Sequence, residues 1–486
     1  MKTSGGDAGK KNGIVPHTGA AGKTAAKNPA FFEKGRGPGG GEKLFFPRKK
    51  VFPLPRNRQP LSGTKKKGAA MAEKPVLKLG VLGDVQGLPS RHDWGMNNLA
   101  LALDILKEKR IDVLLSLGDI AEGGNPDTYA LYWKMIEERF GREGIRHFSC
   151  EGNHDLGNGH RPDFSAVFRR VCAGLRRPEK FICHENIGGY DFVAASETAC
   201  GVYSPELCAE LAAKLASLPP EKTVFVLTHY PPYGTMAGSF DDKAGIRPLR
   251  EVLDRFPQVI SLSGHTHWPL EDERCIWQGN FTAVTASSLA YGCMNEGGFN
   301  TVGGILPFAR EAVQLLYMEL FSDRLEIGRV QVLDRSSAGE KWSVRLPYRP
   351  EEAFYTAARP GSGAAPRFPA GARLLTRYDY GYMYLVFDRA DEEVPALYYE
   401  VELVPLFPEG TPETHRYVSD FYRLKADRGR RLFLRLPGLG MRAGADYRIC
   451  VYPVSAFGVR GEPLAIVEHT WPGYPFKDGR SLYPQE

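Results

Sequence analysis

Six side chains of metal-ligand type sit in five short polar stretches, each directly after an apolar run. They are Asp84 in Gly83-Asp84-Val85-Gln86, Asp119 in Gly118-Asp119, Asn153 in Gly152-Asn153-His154-Asp155, His229 in Thr228-His229, and His265 and His267 in Gly264-His265-Thr266-His267. Singly, each has an ordinary explanation: a Gly-Asp turn, an Asn cap, a buried histidine with a structural partner. Together, two carboxylates, one amide oxygen and three imidazoles make a mixed oxygen and nitrogen donor set suited to Mn, Fe or Zn. The stretches are far apart in sequence, so only tertiary structure can assemble them.

The apolar runs are the elements that must do so. Leu77 to Leu82, Val113 to Leu117, His147 to Cys150, Val224 to Leu227 and Val259 to Leu262 read as buried strands. Helical spacing covers Asn97 to Lys109, Thr128 to Phe140 and Leu207 to Leu218. Ser204-Pro205-Glu206 supplies an N-cap, a first-turn proline and an acidic first turn to the last of these. Segments Cys275 to Thr285 and Leu315 to Leu333 are β-rich. Alternating strands and helices make an α/β domain, in which ligands gather beyond the carboxyl ends of strands. Each polar stretch sits at such an end, so convergence is the expected geometry.

In order and local wording the stretches resemble the calcineurin-like metallophosphoesterase superfamily, whose pattern runs D-x-H, G-D, G-N-H-[DE], H and G-H-x-H. The resemblance covers about residues 76–335. It implies a four-layer α/β/β/α sandwich with two divalent metal ions at its strand ends. By motif position, Asp84 and His267 hold the first ion, Asn153, His229 and His265 the second, and Asp119 bridges them. Such a pair acidifies a water that attacks phosphorus in line. His154 is the non-ligand histidine, expected to stabilise the transition state or to protonate the departing oxygen. Asp155 either orients it or is a helix N-terminal carboxylate. Gln86 stands where the pattern has histidine and can ligate only through its carbonyl oxygen. This weaker donor favours Mn²⁺ at the first site, with a supporting hydrogen bond as the alternative role.

The implied activity is hydrolysis of a small phosphorylated substrate, phosphodiester somewhat ahead of phosphomonoester. A nuclease of the same fold and a catalytically silent phosphate-binding or adhesive protein are the alternatives. His92, Asn125, His160, Arg161, Tyr230, Tyr233, Tyr291 and Asn295 neighbour the motifs as candidate substrate contacts.

At 486 residues the chain is too long for one ordinary domain. With 25% charged and 42% hydrophobic residues, it is neither globally disordered, collagen-like nor coiled-coil. No apolar stretch approaches the roughly 18 residues of a membrane span, and no secretory apolar centre is visible. The expectation is therefore a cytoplasmic protein without a membrane partner. Eight cysteines include no C-x-x-C pair and read mostly as small core residues.

The net charge of +6 is unevenly spread. Residues 1–74 hold 17 Lys+Arg against 4 Asp+Glu, which leaves residues 75–486 at −7. This basic, Gly/Pro-rich opening is expected to be a disordered extension. It gives the only argument for a nucleic-acid partner, the less favoured one, and Met71 is an alternative translation start. The phosphoesterase-like domain is expected over 75–345, a flexible turn-rich linker over 346–365, a β-sandwich over 366–475 and a tail over 476–486. Within the sandwich, strands Tyr382 to Phe387, Tyr398 to Val404, Arg431 to Leu436 and Tyr447 to Val454 are expected. The run Leu439 to Gly458 resembles the last third of a fibronectin type III domain, with Tyr447 as its corner tyrosine.

Overall fold

In a computed structural model of the chain, residues 73–141, 145–156, 181–379, 382–436 and 441–470 are described. The basic extension, the segment carrying His160 and Arg161, and the C-terminal tail lie outside them.

Two six-stranded sheets form the centre of the larger domain. In the first, β1 (Leu77–Leu82), β2 (Val113–Leu117) and β3 (Arg146–Cys150) run parallel. Antiparallel β10 (Gln314–Leu320), β11 (Arg324–Gln331) and β12 (Trp342–Arg345) extend it to the order β12-β11-β10-β1-β2-β3. The second sheet has the order β4-β5-β6-β7-β9-β8, built from β4 (Ile182–Ile187), β5 (Tyr190–Ala195), β6 (Val224–Thr228), β7 (Val259–Ser263), β8 (Ile276–Gln278) and β9 (Thr282–Thr285). Its four inner strands are parallel. β2, β6 and β7 are buried along their whole length, which is why they read as near-continuous apolar runs rather than alternating ones.

Helices cover the outer faces. α1 (Trp94–Lys109) starts where the Asp93 side chain accepts the Met96 N–H, and it ends at Arg110 in the left-handed region. α2 (Pro126–Phe140) is capped by Asn125. These two bury Met96, Leu99, Leu103, Tyr129 and Met135 with Leu82, Leu114 and Leu315 of the first sheet. α3 (Pro205–Ala216), capped by Ser204 as its sequence indicates, and α4 (Arg247–Leu253) bury Leu211, Leu215 and Leu249 with Val193, Val226 and Val259 of the second. Between the sheets Leu79, Leu115 and Phe148 pack with Phe192, Phe225 and Ile260, and the Phe192 and Phe225 rings stack at 4.9 Å. The result is a four-layer α/β/β/α sandwich.

The C-terminal region consists of two antiparallel sheets. β13 (Leu374–Asp379), β14 (Tyr382–Asp388) and β17 (Arg431–Arg435) make one. β15 (Tyr398–Pro405), β16 (Glu413–Val418), β18 (Asp446–Val454) and β19 (Leu464–His469) make the other, in the order β16-β15-β18-β19. Leu385, Phe387, Tyr399, Val401, Ile449 and Val451 fill the space between them. The Tyr447 hydroxyl accepts the Arg442 N–H at 2.7 Å.

The passage expected to be a flexible linker is fastened down. Buried Arg359 donates from its guanidinium to the carbonyls of Glu273 and Ile276, and Gln278 Oε1 accepts the N–H groups of Phe354 and Tyr355. Its Gly and Pro residues supply turns, but a buried guanidinium requires fixed acceptors, and the edge of the second sheet provides them. Leu397, Tyr398, Val418, Phe421 and Tyr422 of the sandwich then share one apolar core with Met294, Leu306 and Ala312. Among the described residues no helix is long and apolar enough to cross a membrane, and the described cysteines are free thiols.

Candidate metal centre

All five polar stretches leave the carboxyl ends of β1, β2, β3, β6 and β7, and there the chain turns sharply. Asp84, Gln86, Asp119, His265 and His267 all have φ between 45° and 67°, five of the nine non-glycine residues in the left-handed region among those described. Such conformations cost about 1–3 kcal/mol each and persist where surrounding structure enforces them, most often at functional sites. Glycines make the approach feasible. A Cβ on Gly152 would lie 2.3 Å from Asp119 Oδ1, and one on Gly264 would lie 2.5 Å from Asp84 Oδ2.

The six predicted ligand residues converge. Asp119 Oδ2 lies 3.3 Å from His229 Nε2, and Asn153 Oδ1 lies 3.0 Å from both His229 Nε2 and His265 Nδ1. Asp84 Oδ1 lies 3.0 Å from His267 Nε2, and the His265 N–H donates to the Asp84 carboxylate. Ligand atoms of Asp84, Asp119 and His229 all fall within 4.8 Å of one another, and all three residues are buried. Two imidazoles are oriented by backbone carbonyls: His229 Nδ1–H donates to Leu117 O at 2.8 Å and His267 Nδ1–H to Tyr291 O at 3.0 Å. Each Nε2 lone pair is thereby left facing the cluster. Oxygen and nitrogen lone pairs that converge in a buried site need a cation between them, so the donor set fits a divalent metal centre.

Gln86 stands beside this set, its amide nitrogen 3.5 Å from both Asp119 Oδ2 and His267 Nε2. Ligation through its oxygen requires the amide to turn over.

His154 lies at the edge, partly exposed. Its N–H donates to Asp119 Oδ1 at 2.8 Å, and its Nε2 is 3.9 Å from Asp119 Oδ2. Its orienting partner is Glu122, 2.7 Å from Nδ1, and not Asp155. Asp155 is buried and fully engaged elsewhere: it accepts the N–H groups of Ile120, Ala121 and Gly152 and the Tyr129 hydroxyl, pinning the loop after Asp119 to the loop after β3. These four donors aim the carboxylate at the backbone and Tyr129, and it makes no contact with His154 among those described. The sequence reading missed Glu122, although Gly118-Asp119-Ile120-Ala121-Glu122 puts a carboxylate three residues beyond Asp119.

Charge inside the cluster is strongly coupled. Burial alone would raise the Asp119 carboxyl, but His229, His154 and His265 hold it well below the usual carboxylate range. Burial works against charge on His154, yet the hydrogen bond to Glu122 and the fields of Asp119, Glu122 and Asp84 push it up to about 9. Asp155 is raised to about 6 by burial and by Asp119.

The other candidates are scattered. Tyr230 lies on His265 with ring centroids 3.8 Å apart, and Tyr291 on His267 at 4.3 Å, so both line the cluster. Asn125 caps α2, Asn295 donates to Gly238 O, Tyr233 packs under the Arg247 guanidinium, and His92 is exposed.

Residues 77–269 match the protein family described as Calcineurin-like phosphoesterase. No curated protein matches the chain at a significant level. Among solved structures, a dimetal phosphatase from Danio rerio aligns at 15% identity over 56% of this chain and 100% of its own, with a TM-score of 0.41. A purple acid phosphatase from yellow lupin aligns at 15% identity over 56% of this chain and 54% of its own, TM-score 0.40. The TT1561 protein of Thermus thermophilus aligns at 10% identity over 55% and 98%, TM-score 0.32. The converging donors and the family match agree, and residues 77–269 form a calcineurin-like phosphoesterase domain.

Proposed function

We propose that this protein is a dinuclear metal-dependent phosphohydrolase that cleaves a phosphodiester, or secondarily a phosphomonoester, of a small substrate. The observation that carries the reading is the buried cluster of Asp84, Asp119 and His229, extended by the contact of His267 with Asp84 and by Asn153, which touches both His229 and His265. Bound there, two divalent cations, with Mn²⁺ favoured over Fe and Zn, supply Lewis acidity toward phosphoryl oxygens and lower the pKa of water. Asp119 serves both halves of the centre. Gln86 supports the first half, where an amide in place of imidazole favours the harder ion.

His154 carries the proton for the departing oxygen on Nε2 while Glu122 holds Nδ1–H, so the ring is oriented before substrate arrives and the Glu122 carboxylate favours its charged form. Tyr230 and Tyr291 wall the two G-H-x-H histidines and limit access of bulk water. The two-sheet order of the C-terminal strands and the Tyr447 hydroxyl bond support a fibronectin III-like module.

The test is hydrolysis of chromogenic mono- and diesters by the full chain with Mn²⁺, beside Asp119→Asn. Turnover by the wild type, lost in the variant, is expected. Equal turnover in both would defeat the assignment.

A further inference from the structure

The segment 291–311 connects the metal centre to the C-terminal sandwich. At its start, the Tyr291 carbonyl orients His267 through Nδ1, the Tyr291 ring lies on the imidazole, and the Cys293 N–H donates to the His267 carbonyl. Within the segment the chain folds back on itself: Gly292 N–H donates to Ala309 O, and Met294 N–H to Gly304 O. Gly292, Gly297, Gly298, Gly303 and Gly304 make this backbone permissive, and three of them have positive φ. Met294 and Leu306 are buried in the central core, while Val302, Ile305 and Phe308 between and beyond them stay exposed.

The larger domain anchors it through Asn295, which donates to Gly238 O, through the Arg274–Glu296 ion pair, and through Gln331, which donates to Glu311 O. Further fixed points come from the sandwich. The Asn300 side chain donates to Val418 O and accepts the Val418 N–H, both at 2.9 Å, and the Phe299 N–H donates to Arg416 O. Gly298 lies so close to β16 that a Cβ there would meet Val418 N at 2.9 Å. The Tyr398 hydroxyl donates to Glu296, and the Tyr422 hydroxyl to Pro307 O. Arg423 grips Glu311 with two nitrogens, at 2.7 and 3.0 Å, a fork geometry that fixes orientation as well as distance. Every one of these ties reaches the segment that carries Tyr291.

We infer that the C-terminal sandwich is a positioning element of the metal centre: through Asn300, Glu311 and their partners it holds segment 291–311 so that Tyr291 keeps His267 aimed at the first metal. Asn300 and Arg423 are positioning residues, since neither touches the cluster. This inference rests on the metal-centre reading above and goes beyond it, assigning the sandwich a part in building the site.

The test is Mn²⁺ binding to the metal-stripped full chain, followed by calorimetry and Mn²⁺ paramagnetic resonance, with thermal melting alongside. Asn300→Ala is expected to weaken one of the two bound ions by about tenfold, the scale on which loss of a ligand's supporting partner acts, and to leave the other in place. Asn300→Asp keeps the acceptor for the Val418 N–H and should lose less. If Asn300→Ala does not fold, Asn300→Asp and Arg423→Lys read the same effect. Thr376→Val removes a hydrogen bond to Glu468 inside the sandwich, away from the segment, and should leave both ions bound as in the wild type. Unchanged binding of both ions in a folded Asn300→Ala protein would overturn the inference alone, as would equal weakening by Thr376→Val. A wild type that binds no Mn²⁺ would remove the centre, and this inference with it.

Discussion

Replacing Glu122 by glutamine tests whether the His154–Glu122 pair works as an oriented proton donor. The carboxylate lies 2.7 Å from Nδ1 and contributes both a hydrogen bond and a field to the charge on His154. A charge-assisted hydrogen bond is worth about 1.5–3 kcal/mol. Glu122 is 44% exposed and His154 31%, so solvent screening reduces that range by roughly half, to about 0.7–1.5 kcal/mol. The expected loss is about 3- to 10-fold in kcat at about 1.4 kcal/mol per tenfold. That loss should depend on the leaving group. A p-nitrophenyl ester departs without a proton and should be slowed little, whereas the unsubstituted phenyl ester needs the donor and should carry the full deficit.

The pH profile gives a second readout. His154 acts in its protonated form, so kcat falls as pH rises through its pKa. Cations bound at Asp84 and Asp119 offset the fields of those carboxylates and leave Glu122 as the main support, so the basic limb should move to lower pH in Glu122→Gln. Equal losses on both esters, with an unmoved basic limb and intact metal content, would refute the pairing.

Asp155→Ala leaves buried N–H groups of Ile120, Ala121 and Gly152 without their acceptor and should destabilise the fold by about 3 kcal/mol, read by chemical denaturation. It should not change the leaving-group dependence of the remaining activity, in contrast to Glu122→Gln. Burial raises Glu271 to about 7 despite its hydrogen bonds from Gln314. A carboxyl with a raised folded-state pKa contributes stability at low pH and loses it as pH rises through that value, so Glu271→Gln should gain in melting temperature relative to the wild type between pH 5 and about 8. Tyr447→Phe takes the acceptor from the Arg442 N–H and should cost about 1–2 kcal/mol without altering metal binding.

Of the strands that lead into the donor cluster, β2, β6 and β7 were legible because they are buried on both faces. Runs such as Val113–Leu117 and Val259–Ser263 have no competing helical reading at that length. The convergence of the six donor side chains was legible because each follows such a run. Three classes of feature were not. β4 and β5 form an edge hairpin with exposed positions such as His184 and with Gly188-Gly189 at the turn, which left no long apolar signature. The partner of His154 depends on how a loop folds back: Asp155 is adjacent in sequence but faces inward to the backbone, while Glu122 comes from another strand end. The ties between segment 291–311 and the sandwich join residues over a hundred positions apart through backbone groups, which have no sequence signature. The Gly/Pro-rich linker misled for a related reason. Composition records the turns but not the buried Arg359 that fastens them.

The central claim is that Asp84, Asp119, Asn153, His229, His265 and His267 hold a pair of divalent cations. Anomalous diffraction from crystals of the full chain grown with Mn²⁺ tests it most directly. Two peaks about 3.5–4 Å apart, one on each side of the Asp119 carboxylate, are predicted. No peak at this cluster, or Mn²⁺ bound only elsewhere, would contradict the account.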